Sequence, residues 1–269
     1  MRQDKISGAR EIENKFIRRI RKFLGKKNIF DECLSFLSLY PSMGSIWNIA
    51  NFSFIYGEDA IKKFELIEKA NEGVLKNSMK LNFSKILTYS RSSTVEKFFL
   101  SKEAEVICSE ARPGYEGRIL AKNLSGKKVT LVADCAIYSF IKDVDAVIVG
   151  ADAILDDGIV NKVGTHPLAV FAKMNKKPFY VLSSSYKRFP FIAIKEENRE
   201  EIWKTNIKNL KIRNFYFDFT PSKFISFFVT EKGIDKKIPE FREEISDEII
   251  KIKEILEKRK YFTLGSTDN

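Results

Sequence analysis

The chain has 269 residues, 44% of them hydrophobic, which suits one large globular domain or two smaller ones. It contains no run of about 18 apolar residues, which excludes a membrane-spanning helix, and Cys33, Cys108 and Cys135 follow neither a disulfide nor a metal spacing. The net charge of +11 admits a polyanion binder, but the lysines are spread among glutamates and no nucleic-acid-binding signature appears, so a solvated basic surface or a field suited to an anionic small ligand fits better.

In chain order, Met1 to Lys27 is charged and lacks an apolar leader core, which predicts a cytoplasmic protein. Residues 4–24 carry Ile6, Ile12, Phe16, Ile20 and Phe23 at helical spacing. A second helix runs from Phe30 to Leu39 and stops at Tyr40-Pro41. A third begins in Ser42–Trp47 and reaches about Tyr56; a fourth runs from Asp59, a candidate cap, through Lys80. Gly73 inside it reads as a local weakness of about 1 kcal/mol. Residues 1–80 therefore read as a helical subdomain, and 81–269 as a second unit.

From Lys85 the pattern becomes strand–helix alternation. Strands are predicted at Lys85–Tyr89, Glu105–Ser109, Lys128–Ala133, Ala146–Val149 and Pro178–Leu182. Helices are predicted at Ser92–Leu100, Tyr115–Leu124, Asp134–Lys142 and Thr165–Met174. Such alternation predicts an α/β fold, a Rossmann-like parallel sheet covered by helices. Beyond Ser185 the pattern loosens. Asn214–Phe219 is strand-like, Thr220-Pro221 reads as a helix start, and Phe224–Val229 as its apolar continuation at a core or dimer contact. Glu243–Lys260 is a charged amphipathic helix, and Gly265–Asn269 is expected to fray.

The predicted strand ends carry polar residues, and that edge of an open α/β sheet binds ligands. Val147–Val149 stops at Gly150-Ala151-Asp152, a turn follows at Asp156-Asp157-Gly158, and Asn161-Lys162 precedes the helix start at Gly164-Thr165. An acid, an amide and a cation on neighbouring strand ends make a polar pocket; the simpler alternative is a surface turn. Ser90-Arg91-Ser92-Ser93 joins a strand to a helix and reads as an anion site, or as ordinary serine capping. No nucleotide-binding glycine fingerprint occurs, so no cofactor is expected. His166 is the single histidine, which argues against a histidine triad or a histidine metal site, so no metal is expected. The cysteines read as buried, although Cys135 at a helix start is a candidate reactive thiol.

Gly150-Ala-Asp-Ala-Ile154 with Asn161–Thr165, Ile86–Ser93, Ser109–Pro113 with Glu116-Gly-Arg118, Pro178–Val181 with Tyr186-Lys187, and Phe217–Pro221 with Val229–Gly233 recur in order. Together they resemble the alpha, beta and delta subunits of translation initiation factor 2B. That superfamily also holds ribose-1,5-bisphosphate isomerase and methylthioribose-1-phosphate isomerase. The resemblance is good over roughly residues 80–235 and weak before them. It implies ligand contacts at Arg91, Ser92, Ser93, Asp152, Asn161, Lys162 and Lys187, a homodimer or larger assembly, and initiation factor 2, through its alpha subunit, as a partner. The isomerases pair an aspartate with a cysteine. Asp152 matches the aspartate, but Tyr89–Ser93 offers no thiol where they read Cys-Asn-Ser. Their Arg-Gly-Ala phosphate loop is matched only by Met43-Gly44-Ser45. The expectation is a non-catalytic homologue that binds a sugar phosphate or nucleotide phosphate. The alternative is ribose-1,5-bisphosphate isomerase with Asp152 as acid/base, and a third reading is a polyanion binder that weakens steeply with salt.

Overall fold

The computed structural model describes residues 3–4, 8–259 and 261–265. Four helices come first: α1 (Ala9–Ile20), α2 (Ile29–Leu39), α3 (Gly44–Tyr56) and α4 (Ala60–Ser78). The stripe expected over residues 4–24 is confined to α1, where Ile12, Phe16, Ile17 and Ile20 are buried; Ile6 lies outside the described residues. Ten consecutive residues of α3, Gly44–Ser53, are buried, as expected of a helix with no polar face. Its Trp47 packs 5.8 Å from the Phe189 ring and 5.2 Å from that of Phe191. Gly73 is more than a weak point in α4. A Cβ there would lie 2.7 Å from Glu231 Cβ, so the glycine admits the close approach of Glu231 from the C-terminal half of the chain.

The α/β part follows as β1 (Lys85–Thr88), α5 (Ser93–Leu100), β2 (Glu105–Ser109), α6 (Glu116–Asn123), β3 (Val129–Val132) and β4 (Ala146–Val149). Then come a hairpin of β5 (Ala153–Ile154) and β6 (Gly158–Lys162), α7 (Thr165–Met174), β7 (Phe179–Leu182) and β8 (Phe191–Ile194). The chain ends with β9 (Phe217–Pro221), β10 (Phe227–Thr230), β11 (Gly233–Asp235), α8 (Asp247–Lys258) and β12 (Phe262–Gly265). Seven strands form the main sheet in the order β11-β10-β7-β4-β1-β2-β3, parallel except for β10–β11. Side strands β5-β6-β9 form one antiparallel sheet and β12-β8 another. The architecture is mixed α/β, with a helical N-terminal region followed by a mostly parallel sheet.

The strand order decides where a ligand can sit. From β1 the chain winds outward through β2 and β3, then returns to place β4 against the other side of β1 and winds outward again through β7. In register, Ile86 of β1 lies opposite Val106 on one side and Ala146 on the other. A reversal of winding between adjacent parallel strands opens a crevice at their C-terminal ends. Here it opens between β1 and β4.

Several expectations need correction. Thr220-Pro221 does not start a helix: both residues belong to β9, and Phe227–Thr230 is a strand inside the main sheet. Side-by-side aromatic residues drive both outcomes in a sequence window, and pairing with β7 decides for the strand. Asp134–Asp143 is a 3-10 segment rather than an α-helix. Cys33 and Cys108 are buried, but Cys135 is exposed. Gly265, expected to fray, pairs with Phe191 in the β12–β8 ladder, while 266–269 lie outside the described residues.

Candidate functional site

The turns after β1 and β4 meet at the crevice. Gly150 makes this possible, since a Cβ there would stand 2.7 Å from Ser92 Oγ. Ser90 takes φ +62, an uncommon conformation for a residue with a side chain. Ser92 occupies the N-cap position of α5, yet its hydroxyl makes no capping hydrogen bond. Capping therefore does not account for the serine cluster. Arg91 Nε donates to Glu96 Oε2 at 2.8 Å, which holds the guanidinium at the cavity wall.

The β5–β6 hairpin adds the next groups. Asp152 N–H donates to Val160 O at 2.8 Å, setting the carboxylate beside Asn161 and Lys162. Asn161 Nδ2 donates to Thr165 Oγ1 at 3.1 Å. Lys162 is buried at 3% exposure; its ammonium lies 2.7 Å from Glu116 Oε1 and 4.4 Å from the Tyr216 ring centre. Lys187 arrives from the turn after β7, and its ammonium donates to Ala151 O at 2.7 Å. The helical region closes the cavity from above through Tyr40–Met43. Gly44 N–H, at the start of α3, donates to Asp152 O at 2.9 Å. Position 44 must be glycine, because a Cβ would lie 2.1 Å from Lys187 O.

Of the seven ligand residues expected from sequence, Arg91, Ser92, Asp152, Asn161, Lys162 and Lys187 line this one cavity, and Ser93 does not. Ser90 lines it in addition. The three cysteines do not, so Cys135 offers no thiol to this pocket. Met43 lines it where the isomerases' phosphate loop was sought. Sequence reasoning missed Glu116, Tyr216 and the pair Lys195 and Glu197. Glu116 stood inside a recognised motif, but nothing local indicated that the start of α6 would turn toward Lys162. Gln3 and Asp4 also line the cavity, tied down by Lys195 Nζ to Gln3 Oε1 at 2.9 Å and by Asp4 N–H to Tyr40 Oη at 2.7 Å.

Burial pushes the Asp152 carboxyl up to about 6 from its ordinary 3.8. Lys187 and Lys162 pull it back down, while Glu116 and Glu13 add to the rise. Near neutral pH Asp152 can therefore both give and take a proton. Asp218 on β9 is also pushed up to about 6 by burial, against the pull of Gly164 and His166 N–H. It serves structure, accepting from Gly164 N–H at 2.7 Å and His166 N–H at 3.2 Å at the start of α7. The set of groups can neutralise a phosphate with cations, hold hydroxyls with Asn161 and the serines, and move a proton at Asp152.

The sequence pattern of the initiation factor 2 subunit family matches residues 51–237. The chain belongs to the initiation factor 2 subunit family. Among relatives, a ribose 1,5-bisphosphate isomerase of Methanocaldococcus jannaschii is 33% identical over 226 residues, covering 74% of this chain and 73% of that protein. A putative translation initiation factor eIF-2B subunit 2-like protein of Pyrococcus furiosus is 35% identical over 216 residues, covering 74% and 77%. Among solved structures, the translation initiation factor eIF-2B of Pyrococcus horikoshii OT3 superposes with a TM-score of 0.74 at 30% identity, covering 88% of this chain and 93% of that one. Family membership thus joins an isomerase name and an initiation-factor name at nearly equal identity. Among the described residues no helix is long and apolar enough to cross a membrane.

Proposed function

We propose that the chain binds a phosphorylated sugar, free or as part of a nucleotide, in the crevice between β1 and β4. The observation that carries this reading is convergence: six residues from three turns and the strand β6, far apart in sequence, line one cavity at the reversal of strand winding. Arg91, Lys162 and Lys187 would meet the phosphate, and Asp152 and Asn161 the sugar hydroxyls. The thiol-dependent chemistry expected of the isomerases is absent from this pocket, which favours a binding protein. The second reading, ribose-1,5-bisphosphate isomerase, is favoured by a carboxyl at Asp152 poised for proton transfer near neutrality.

The same reading extends to a cytoplasmic homodimer or larger assembly, with initiation factor 2 as a partner through its alpha subunit. The oligomeric structures among the fold's relatives support the assembly, such as the tetrameric eIF2B-beta2-delta2 complex from C. thermophilum. Thermal unfolding against ribose 1,5-bisphosphate, other pentose phosphates and nucleoside monophosphates tests the ligand. A ligand at 100 times its Kd adds about 2.7 kcal/mol to the folded state. Absence of any shift across that panel would refute the reading. Light scattering of the purified chain, alone and with the initiation factor 2 alpha subunit, tests the assembly and the partner.

A further inference from the structure

The segment that delivers Glu116 to the cavity is fixed more firmly than the start of a surface helix requires. Ala111 N–H and Arg112 N–H both donate to the Asp134 carboxylate, at 2.7 and 2.8 Å. Ala111 and Tyr115 take φ +57 and +59. Gly117 seats the first turn of α6 on the end of β2, where a Cβ would lie 1.7 Å from Ser109 O. Backbone conformations of this kind collect where a functional group must be held in place.

The carboxylate so placed is only half satisfied. Oε1 accepts from Lys162 Nζ at 2.7 Å, while Oε2 is buried with no hydrogen-bond partner among the described residues. A buried acceptor without a partner is uncommon and points to a missing ligand or to proton handling. Glu116 and Asp152 line the same cavity, and the charge of Glu116 contributes to the rise of the Asp152 carboxyl. Two carboxyl groups with different surroundings in one pocket are the usual makings of an acid and a base.

We propose that Asp152 and Glu116 form a two-carboxylate proton-transfer pair that isomerises a pentose 1-phosphate to its 2-keto form without a thiol. The proposal rests on the phosphosugar reading above and takes its second form, the isomerase, in place of a binding protein. The ring C1–O4 bond breaks with its electron pair on O4, which takes a proton from Asp152. The C2–H bond breaks, its proton passes to Glu116, and its electron pair forms the C1–C2 double bond of an enol phosphate. The O2–H proton then leaves to Asp152 as C1 takes a proton from Glu116, giving a C2 carbonyl and a C1 methylene that bears the phosphate. Two protons are given and two taken, both carboxyl groups return to their starting state, and no oxidant or reductant is consumed.

Ribose 1,5-bisphosphate in D2O, followed by NMR, is the test, with calorimetric binding measured on the same samples and folding checked by thermal unfolding. The wild-type chain should form ribulose 1,5-bisphosphate whose new C1 hydrogen is the former C2 hydrogen, replaced by solvent deuterium to the extent that the Glu116 carboxyl exchanges before it reprotonates C1. Asp152→Asn and Glu116→Gln should each slow turnover at least about 100-fold with affinity changed less than about 10-fold. Glu116→Asp should recover part of the rate. The pH profile of kcat should lose one limb in Asp152→Asn. Binding without turnover in the wild-type chain overturns the proton-transfer pair and leaves the phosphosugar reading standing. Turnover that Glu116→Gln does not slow overturns the role of Glu116. Failure to bind ribose 1,5-bisphosphate and every other sugar phosphate in the panel removes the phosphosugar reading and the proposal together.

Discussion

One helix, α3, borders two regions built on opposite principles. At Trp47 it enters an apolar core in which the Trp47 and Asn48 side chains are paired: the indole N–H donates to Pro41 O at 2.8 Å, and Asn48 Nδ2 donates to Tyr186 O and Arg188 O at 2.7 and 2.8 Å. Three residues earlier, at Gly44, the same helix touches the crevice. There Asp152 is driven toward its neutral form, Lys162 is buried, and Glu116 keeps an oxygen without a partner among the described residues. The core contributes stability, and the crevice gives some of it up. Local violations of good packing and pairing mark functional sites for this reason. The helix ties the two together, so the rigid core holds the costly groups in position.

The comparison breaks most visibly at Trp47. Trp47→Ala should cost about 3–5 kcal/mol, since the ring is fully buried between Phe189 and Phe191. Urea unfolding checks it, and a loss under about 1 kcal/mol would mean the core does not anchor the helix. Asp152→Asn should act in the opposite direction. A carboxyl whose folded value stands near 6 contributes stability that is fully present below its unfolded value near 3.8 and is lost as pH rises through 6. The wild-type chain should therefore weaken relative to Asp152→Asn from about pH 4 to pH 7, by at most about 3 kcal/mol. Parallel pH profiles for the two proteins would show that the crevice carries no such cost. Gly44→Ala links the regions. Its Cβ would overlap Lys187 O, so the start of α3 must move, at about 1–3 kcal/mol. Ligand-induced thermal shifts should shrink as well, because the same movement opens the cavity.

The sequence made the parallel sheet legible because β1, β2, β4 and β7 are short apolar runs ended by polar residues, and nothing else competes for that pattern. The candidate site was legible in part for the same reason, since in such a sheet residues just past strand ends converge whatever their separation in sequence, and Lys187 was added by the family resemblance. What stayed hidden depends on contacts distant in the chain. Phe224–Val229 carries an apolar pattern that suits a helix or a strand, and only the open edge of β7 selects the strand. Asp134–Lys142 carries a helical pattern, but the Asp134 carboxylate is spent on Ala111 and Arg112, and the segment forms a 3-10 helix. Glu116 went unread because its partner, Lys162, lies 46 residues on.

The smallest expected effect separates a structural carboxylate from the one proposed to work in the crevice, of nearly the same character. Asp218 is pushed up to about 6 by burial, as Asp152 is, but its oxygens are taken by Gly164 and His166 N–H. Its work is capping α7 from a neighbouring strand. Asp218→Ala should cost about 1 kcal/mol, and Asp218→Asn, which keeps an acceptor, only a few tenths. Neither change should alter ligand-induced thermal shifts, since Asp218 does not line the cavity. If Asp218→Asn abolished those shifts while leaving stability intact, the division between supporting carboxylate and working carboxylate would fall, and Asp218 would have to be counted as part of the site.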